Sequence, residues 1–170
     1  MKLWENIHID GINRLESRAH FLNFPSKELA LIGDKKYTYN FKSLNGNWKF
    51  LFLGAPEYSP KDFYKEDFNT DSWDEIVVPG NWQIQGYGNM HYTDLCYNFP
   101  INPPYVPTEN PTGIYKRKFN IDKSWMNERI IIKFNGVDSA YNVWINGKEV
   151  GYSLNLILLI ILDLEKMNVL

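Results

Sequence analysis

The sequence has very little cysteine and no excess of basic residues, and each scarcity excludes a class of protein. The single cysteine, Cys96, rules out an internal disulfide and any metal cluster built from several cysteines. Eighteen Lys and Arg against twenty Asp and Glu give a formal net charge of −2. Such a balance provides no basic field for nucleic acid or an anionic membrane, so we expect neither as a partner.

Targeting and cofactor signals are also missing. The start, MKLWEN, lacks the basic and apolar regions of a signal peptide, which predicts a cytoplasmic protein. No nucleotide-binding glycine pattern, zinc-ligand spacing or internal repeat is visible. The longest Leu/Ile run, Leu156–Leu162, is too short to span a bilayer.

Aromatic residues are abundant, at 16% of the chain, and favour β structure in what the length of 170 residues predicts to be one domain. Apolar residues alternate with polar ones in several short stretches separated by turn signals, a pattern typical of a β-sandwich or jelly roll. The Asn146-Gly147 dipeptide predicts a type I′ hairpin. The faces that carry Trp48, Ile132 and Val143 are predicted to point inward. The sets of residues predicted to share a strand face are Trp48, Phe50 and Phe52; Tyr115, Arg117, Phe119 and Ile121; Ile130, Ile132 and Phe134; and Tyr141, Val143 and Ile145.

Residues 79–113, which we call the long loop, join two of these predicted strands. Five of the nine prolines lie between Pro100 and Pro111, so neither a helix nor a central strand can run through this part. Six Trp, Tyr and Phe residues in the loop require something to pack against. Long ordered loops of this kind are often functional.

Three further regions have irregular patterns. Residues 1–40 predict an extended arm with one helical turn, which lies either on this domain or on another surface. Residues 62–75 predict a short helix or turn cluster anchored by Phe63, Phe68 and Trp73, and residues 122–127 predict a connection plugged by Trp125.

Distinctive motifs are spread over residues 3–153, and through them the chain resembles the N-terminal sugar-binding domain of glycoside hydrolase family 2, of the large bacterial β-galactosidase type. The NPP…VPTENPTG run is long and compositionally unusual, so a chance match is improbable. The matching motifs are WEN (4–6), NRL (13–15), SLNGNWKF (43–50), VPGNWQ (78–83), YT (92–93), NPPYVPTENPTG (102–113), FNGVDSA (134–140), WING (144–147) and VGY (150–152).

The resemblance implies an enzyme that hydrolyses terminal β-galactosides with retention, using two carboxylates about 5 Å apart. In the family both are glutamates on a (β/α)₈ barrel that lies downstream of this domain, so no catalytic residue is expected in this chain. Glu109 is interpreted as a turn residue. Magnesium and sodium ligands of the family come mostly from later segments, and none is assigned here. The implied partners are a β-galactoside, the barrel-containing remainder and further copies in a homo-oligomer.

One position of the domain reaches the family's active site, in a Tyr-Thr-Asn-Val type of pattern. This sequence has Tyr92-Thr93-Asp94-Leu95, so the resemblance implies that Asp94 contacts galactose hydroxyls and Leu95 lines the pocket. A carboxylate accepts charge-assisted hydrogen bonds but donates none. The alternative role of Asp94 is a loop-capping acid.

Other chemically capable residues are interpreted as structural. The three histidines, His8, His20 and His91, lack metal partners at helical or hairpin spacing. The thiol of Cys96 has no activating neighbour. The indoles of Trp48 and Trp82 lie at strand edges, where burial is the usual role.

The resemblance divides the chain into the arm (1–40), the sugar-binding domain (41–153) and an apolar tail (154–170) that departs from the family. A reading-frame shift near codon 154 is our hypothesis for that departure. Three functions remain open: a β-galactosidase fragment that is inactive alone, a free-standing carbohydrate-binding module, and a piece that complements an enzyme lacking its own N-terminus.

Overall fold

The computed structural model of the chain describes residues 2–16, 19, 21–90, 100–125, 127–154 and 160–163. This part is mainly β, with one short α-helix and several single 3-10 turns, which confirms the predicted mainly β class. No helix among the described residues is long and apolar enough to cross a membrane. The elements are β1 (Gly11–Ile12), α1 (Lys27–Ile32), β2 (Gly46–Leu53), β3 (Asp74–Val78), β4 (Thr112–Lys116), β5 (Ile131–Phe134), β6 (Ala140–Ile145), β7 (Lys148–Leu154) and β8 (Ile160–Asp163).

The strands form three antiparallel sheets with the orders β1-β7-β6, β3-β2-β4 and β5-β8. β6 and β7 are joined by a two-residue loop in which Asn146 and Gly147 both have positive φ, at 49° and 76°. These angles are those of the predicted type I′ hairpin, which is confirmed. Asparagine tolerates this region better than most residues, and glycine adopts it freely.

One apolar core lies between β5 and the β6–β7 pair. Ile130 and Val150 are its buried centre, and the indole of Trp125 packs against them from the 3-10 turn Lys123–Trp125, as the predicted plug. A β-bulge lies between Val143 and Trp144 in the pairing of β6 with β7. The half-buried members of this core are Ile121, Trp125, Ile132, Phe134, Tyr141, Val143 and Ile145.

The first part of the predicted arm lies on this domain. β1 pairs with β7, and the amide of Leu154 donates to the carbonyl of Asp10 at 2.9 Å. Arg14 donates to the buried Ser153 hydroxyl at 3.3 Å and to the Asp10 carboxylate at 2.6 Å. The surface that receives residues 10–14 is therefore the edge of the β6–β7 sheet.

The expected helical turn of the arm is α1. Ser26 caps its start by accepting from the Leu29 amide at 3.3 Å, and Gly33 ends it with φ 70°. No residue of α1 is buried, and Leu31 and Ile32 are 78% and 61% exposed.

The second core is built on β2, where Trp48, Phe50 and Phe52 share one face as predicted. Phe50 has no exposed surface, and Ile76, which lies opposite Trp48 in β3, is 1% exposed. Ile114 in β4 is also buried, on the other face of this sheet.

The strand predicted from Tyr115 to Ile121 is wrong in its bounds, because β4 begins at Thr112 and ends at Lys116. Arg117 explains the end: its guanidinium donates to the carbonyls of Leu44 and Asn45 at 2.7 and 2.9 Å. The side chain therefore ties the chain to the entrance of β2 instead of continuing a ladder.

The SLNG stretch (43–46), whose Asn-Gly pair is a common hairpin turn, does not close a hairpin, because both neighbours of β2 come later in the chain. Gly46 starts β2 with φ 119°, a conformation that favours glycine. The Trp48 indole donates to the Leu44 carbonyl at 2.8 Å, and the Arg117 guanidinium lies 5.8 Å from the centre of that indole. This turn is consequently fixed by side chains.

Residues 61–73 form the predicted turn cluster. The Lys116 ammonium donates to the carbonyls of Phe63 and Lys65 and lies 5.5 Å from the centre of the Phe68 ring. Burial lowers the pKa of Lys116, and the nearby Lys118 adds to the effect. Trp73 is 6% exposed and its ring lies 5.8 Å from that of Phe68.

Part of the apolar tail forms a strand. β8 pairs antiparallel with β5, from Ile131 opposite Asp163 to Phe134 opposite Ile160. Residues 155–159 and 164–170 lie outside the described part, and the frame-shift interpretation of the tail stays a hypothesis.

The hydroxyl of Tyr152 provides a stability prediction. The side chain is 1% exposed, its oxygen has no hydrogen-bond partner in the described part of the chain, and burial raises its pKa. Removing an unpaired buried hydroxyl relieves a desolvation cost of about 1–3 kcal/mol. We expect Tyr152→Phe to match or exceed the wild type in free energy of unfolding, measured by urea denaturation at pH 7.

The same variant tests the pKa shift. The native pKa of Tyr152 lies above its unfolded value of about 10. The contribution of the protonated phenol to the free energy of unfolding is therefore complete below pH 10 and is lost as pH rises through the native pKa. The wild type should therefore lose more stability than Tyr152→Phe between pH 9 and 11. Tyr58→Phe, at a tyrosine that is 68% exposed, is the matched control. A Tyr152→Phe protein clearly less stable at pH 7 would contradict the assignment.

Candidate functional site

The long loop connects the two strands that flank β2. β3 ends at Val78, opposite Gly46 at the start of β2, and β4 begins at Thr112, opposite Leu53 at its end. Because β3 and β4 are both antiparallel to β2, they run parallel to each other. The long loop must therefore travel the length of β2, roughly 23 Å at about 3.3 Å per residue.

Aromatic rings hold the first part of this crossing against one face of β2. The ring of Tyr87 lies edge-on to Phe50 at 4.8 Å between centroids, and Trp82 lies edge-on to Phe52 at 5.6 Å. Tyr115, opposite Phe50 in β4, approaches it to 4.8 Å. We call these five residues the aromatic cluster. Edge-to-face and tilted pairs at these distances add about 0.5–1.5 kcal/mol each beyond the area they bury.

Two glycines leave room for the rings. A Cβ on Gly113 would lie 2.5 Å from Cζ3 of Trp82 and 2.7 Å from Cε2 of Phe50, both closer than real contacts permit. Gly88 has φ 67° and would place a Cβ 3.2 Å from the Phe52 ring. The sheet and the long loop approach each other so closely because these positions carry no side chain.

The part of the long loop that directly follows β3, which we call its first root, is a compact turn. Its 3-10 segment, Gln83–Gln85, ends at Gly86 with φ 98°, and the Tyr87 amide donates to the Trp82 carbonyl at 3.1 Å. The Gln85 side chain accepts from the Val77 amide at 2.8 Å and donates to the Val77 carbonyl at 3.0 Å. This root is therefore bound to β3 by hydrogen bonds and to β2 by rings.

The part of the long loop that directly precedes β4, which we call its second root, is attached at the far end of β2. The Asn110 amide donates to the Gly54 carbonyl at 3.1 Å, and the Thr112 hydroxyl donates to the Asn110 carbonyl at 2.9 Å. Glu109, interpreted from the sequence as a turn residue, is exposed beside this attachment. The ends of the long loop are thus fixed at opposite ends of one strand.

The electrostatics of the first root involve Tyr87 and Asp74. Burial raises the pKa of the Tyr87 phenol, and a hydrogen bond with the Asp74 carboxylate raises it further. Asp74 lies opposite Phe50 in the sheet. The phenol thus remains a neutral donor at the edge of the aromatic cluster.

The residues predicted to contact substrate, Asp94 and Leu95, lie outside the described residues, as do His91 and Cys96. The structure brings the two roots of their segment into place without describing the segment itself. His8 is exposed, with its backbone amide bonded to the Asn6 side chain at 3.0 Å. Within the described ranges, no group of three or more His, Cys, Asp and Glu residues could hold a metal ion.

Comparison with known proteins identifies the domain. A family model described as the sugar-binding domain of glycosyl hydrolases family 2 matches residues 41–167. The chain belongs to this family. A β-galactosidase of Psychromonas ingrahamii is 39% identical to it over 150 residues, which cover 88% of this chain and 14% of that protein. The chain therefore spans only a small part of the length of this relative.

Membership confirms the resemblance found in the motifs and the predicted β-sandwich class of the family 2 domain. The matched range also continues past residue 153, where the individual motifs end, and includes the backbone of β8.

Three polar residues of the family 2 domain were not singled out as anchors by the sequence interpretation. The sequence pattern places Arg117 on a strand face among apolar residues and indicates no contact for Lys116 or Gln85. Arg117 and Lys116 each donate to two backbone carbonyls more than fifty residues earlier in the chain, and Gln85 donates to one carbonyl eight residues earlier, at distances of 2.5–3.4 Å. Periodicity carries no information on such contacts, and the alternation continues past Arg117 to Phe119 and Ile121, so no sequence signal could have suggested the role of Arg117.

The crowding at Gly113 predicts the effect of one added methyl group. Gly113→Ala should reduce the free energy of unfolding by about 1–3 kcal/mol, because Trp82 or Phe50 must move. Gly136→Ala is the matched control, since a Cβ there meets nothing within 4 Å. Urea unfolding followed by tryptophan fluorescence measures both. Equal stability of the two variants would show that the rings do not pack on Gly113.

Proposed function

We propose that this domain is the N-terminal part of a β-galactosidase and that its long loop supplies one side of the galactoside pocket through Asp94 and Leu95. The observation that carries the proposal is the 39% identity to the Psychromonas ingrahamii β-galactosidase over 88% of this chain. The anchoring of both roots of the long loop supports it, because a sugar contact requires a loop held in one place.

The chemistry assigned to this chain is binding. Asp94 accepts hydrogen bonds from sugar hydroxyls as a carboxylate, while Leu95 contacts the apolar face of the sugar. Hydrolysis with retention requires two carboxylates about 5 Å apart, which we assign to the barrel-containing remainder. The 170-residue chain is consequently inactive alone.

The same proposal places the other functional components outside this chain. The magnesium and sodium sites belong to the remainder, as do further contacts of the expected homo-oligomer. The enzyme acts in the cytoplasm on terminal β-galactosides.

A complementation experiment tests this function. The 170-residue chain is mixed with the Psychromonas ingrahamii β-galactosidase from which the segment aligned with this chain has been deleted. We expect the mixture, and neither component alone, to hydrolyse o-nitrophenyl β-galactoside. Asp94→Ala should lower kcat/KM about 10- to 100-fold, from the loss of one charged hydrogen bond of about 1.5–3 kcal/mol.

Asp71→Ala, at an exposed aspartate in a turn, is the matched control and should retain wild-type kinetics. A folded mixture without hydrolysis would contradict the proposed function. Tight galactose binding by the chain alone, measured by calorimetry, would instead favour a free-standing carbohydrate-binding module.

A further inference from the structure

At the outer edge of β3, both backbone hydrogen-bonding groups of Val77 have a partner. β3 is an edge strand, and Val77 pairs with Asn47 at a position where its amide and carbonyl point away from β2. Such groups on an edge strand normally face water or a further strand. Here both are bonded to the Gln85 side chain, at 2.8 and 3.0 Å.

A primary amide is suited to this role because it carries an acceptor and a donor side by side, as a peptide group does. Gln85 thus binds β3 as a single residue of an additional strand would. We call the pair of hydrogen bonds between Gln85 and Val77 the amide bridge.

The turn between the two partners is packed around the amide bridge. A Cβ on Gly80 would lie 2.7 Å from Nε2 of Gln85 and 2.9 Å from the Val77 carbonyl oxygen. The residue at position 80 therefore has to be small for the bridge to close. The turn and the bridge form one unit at the start of the long loop.

The amide bridge restricts movement of the first root along β3 more strongly than the ring contacts of this root do. Trp82 and Tyr87, on either side of Gln85, press on Phe50 and Phe52 through rings that tolerate small translations. Two short directional hydrogen bonds to one residue of β3 allow no such translation. The bridge is what fixes the position of the root along the strand.

We propose that Gln85 is a positioning residue of the long loop: its amide bridge to Val77 fixes where the chain leaves the sheet, and the binding of a β-galactoside by this loop depends on that position. This role rests on the proposed function. In this proposal Gln85 acts through the segment that follows it and not by contact with the sugar.

The test compares two methionine variants. Gln85→Met keeps the length of the side chain and removes both hydrogen bonds, whereas Gln83→Met makes the same change in the same turn at a side chain with no hydrogen bond to a described residue. Hydrogen exchange of the 170-residue chain reports the bridge. We expect the Val77 amide to exchange at least tenfold faster in Gln85→Met and unchanged in Gln83→Met, with similar urea midpoints, because water replaces the lost partners at an open edge.

Kinetics of the complemented enzyme report the positioning. In the mixture described above, Gln85→Met should raise KM for o-nitrophenyl β-galactoside three- to tenfold and change kcat less than twofold, since the loop binds sugar without reacting. Gln85→Glu keeps the acceptor for the Val77 amide and should fall between the wild type and Gln85→Met.

The outcomes separate the two claims. Unchanged Val77 exchange in Gln85→Met would overturn the bridge. Faster exchange with unchanged KM would overturn the positioning role while leaving the proposed function intact. A wild-type mixture without hydrolysis would overturn the proposed function, and the positioning role with it.

Discussion

The burial of Phe50 is the constraint on which the rest of the β3-β2-β4 sheet depends. Phe50 has no exposed surface, although the sheet that carries it has three strands and its neighbours along the face are Trp48 and Phe52. A fully buried phenylalanine contributes about 1.5–3 kcal/mol relative to an exposed one. In the described part of the chain, Tyr87 and Trp82 of the long loop pack over this face. The core is therefore completed by the segment that carries the proposed sugar contact.

This arrangement links the stability of the domain to the position of the loop. β3 and β4 are parallel to each other and separated by β2, so a long connection between their ends is unavoidable. In many folds a helix makes such a connection. Here a proline-rich segment makes it, and its described part is held against the sheet by rings, by the absence of a side chain at two glycines and by one side-chain amide. A loop fixed in this way can present a side chain to a ligand with little loss of conformational entropy.

Much of the fold could be predicted from the sequence because its signals are local. The alternation of Trp48, Phe50 and Phe52 gave the face of β2, and Asn146-Gly147 gave the β6–β7 hairpin. The pairing of β2 with β3 and β4 was not predicted, because alternation identifies a strand without identifying its partners. The end of β4 was missed since Arg117 follows the apolar period but binds carbonyls more than seventy residues earlier in the chain.

The candidate site was predicted in part. The family was correctly identified from the motifs, whereas the placement of the site in the long loop, inferred from prolines and aromatic residues, stays a prediction. The contribution of Gln85 could not be predicted, because an amide that pairs with a strand edge has no sequence pattern. The roles of Asp94 and Leu95 remain predictions.

The most direct test of the central claim is a crystal structure of the complemented enzyme with a bound, non-hydrolysed galactoside. We expect Phe50 to stay covered by Tyr87 and Trp82, with the Asp94 carboxylate about 2.5–3.2 Å from a galactose hydroxyl. A galactoside bound entirely by the remainder of the enzyme, with the long loop packed elsewhere, would contradict it.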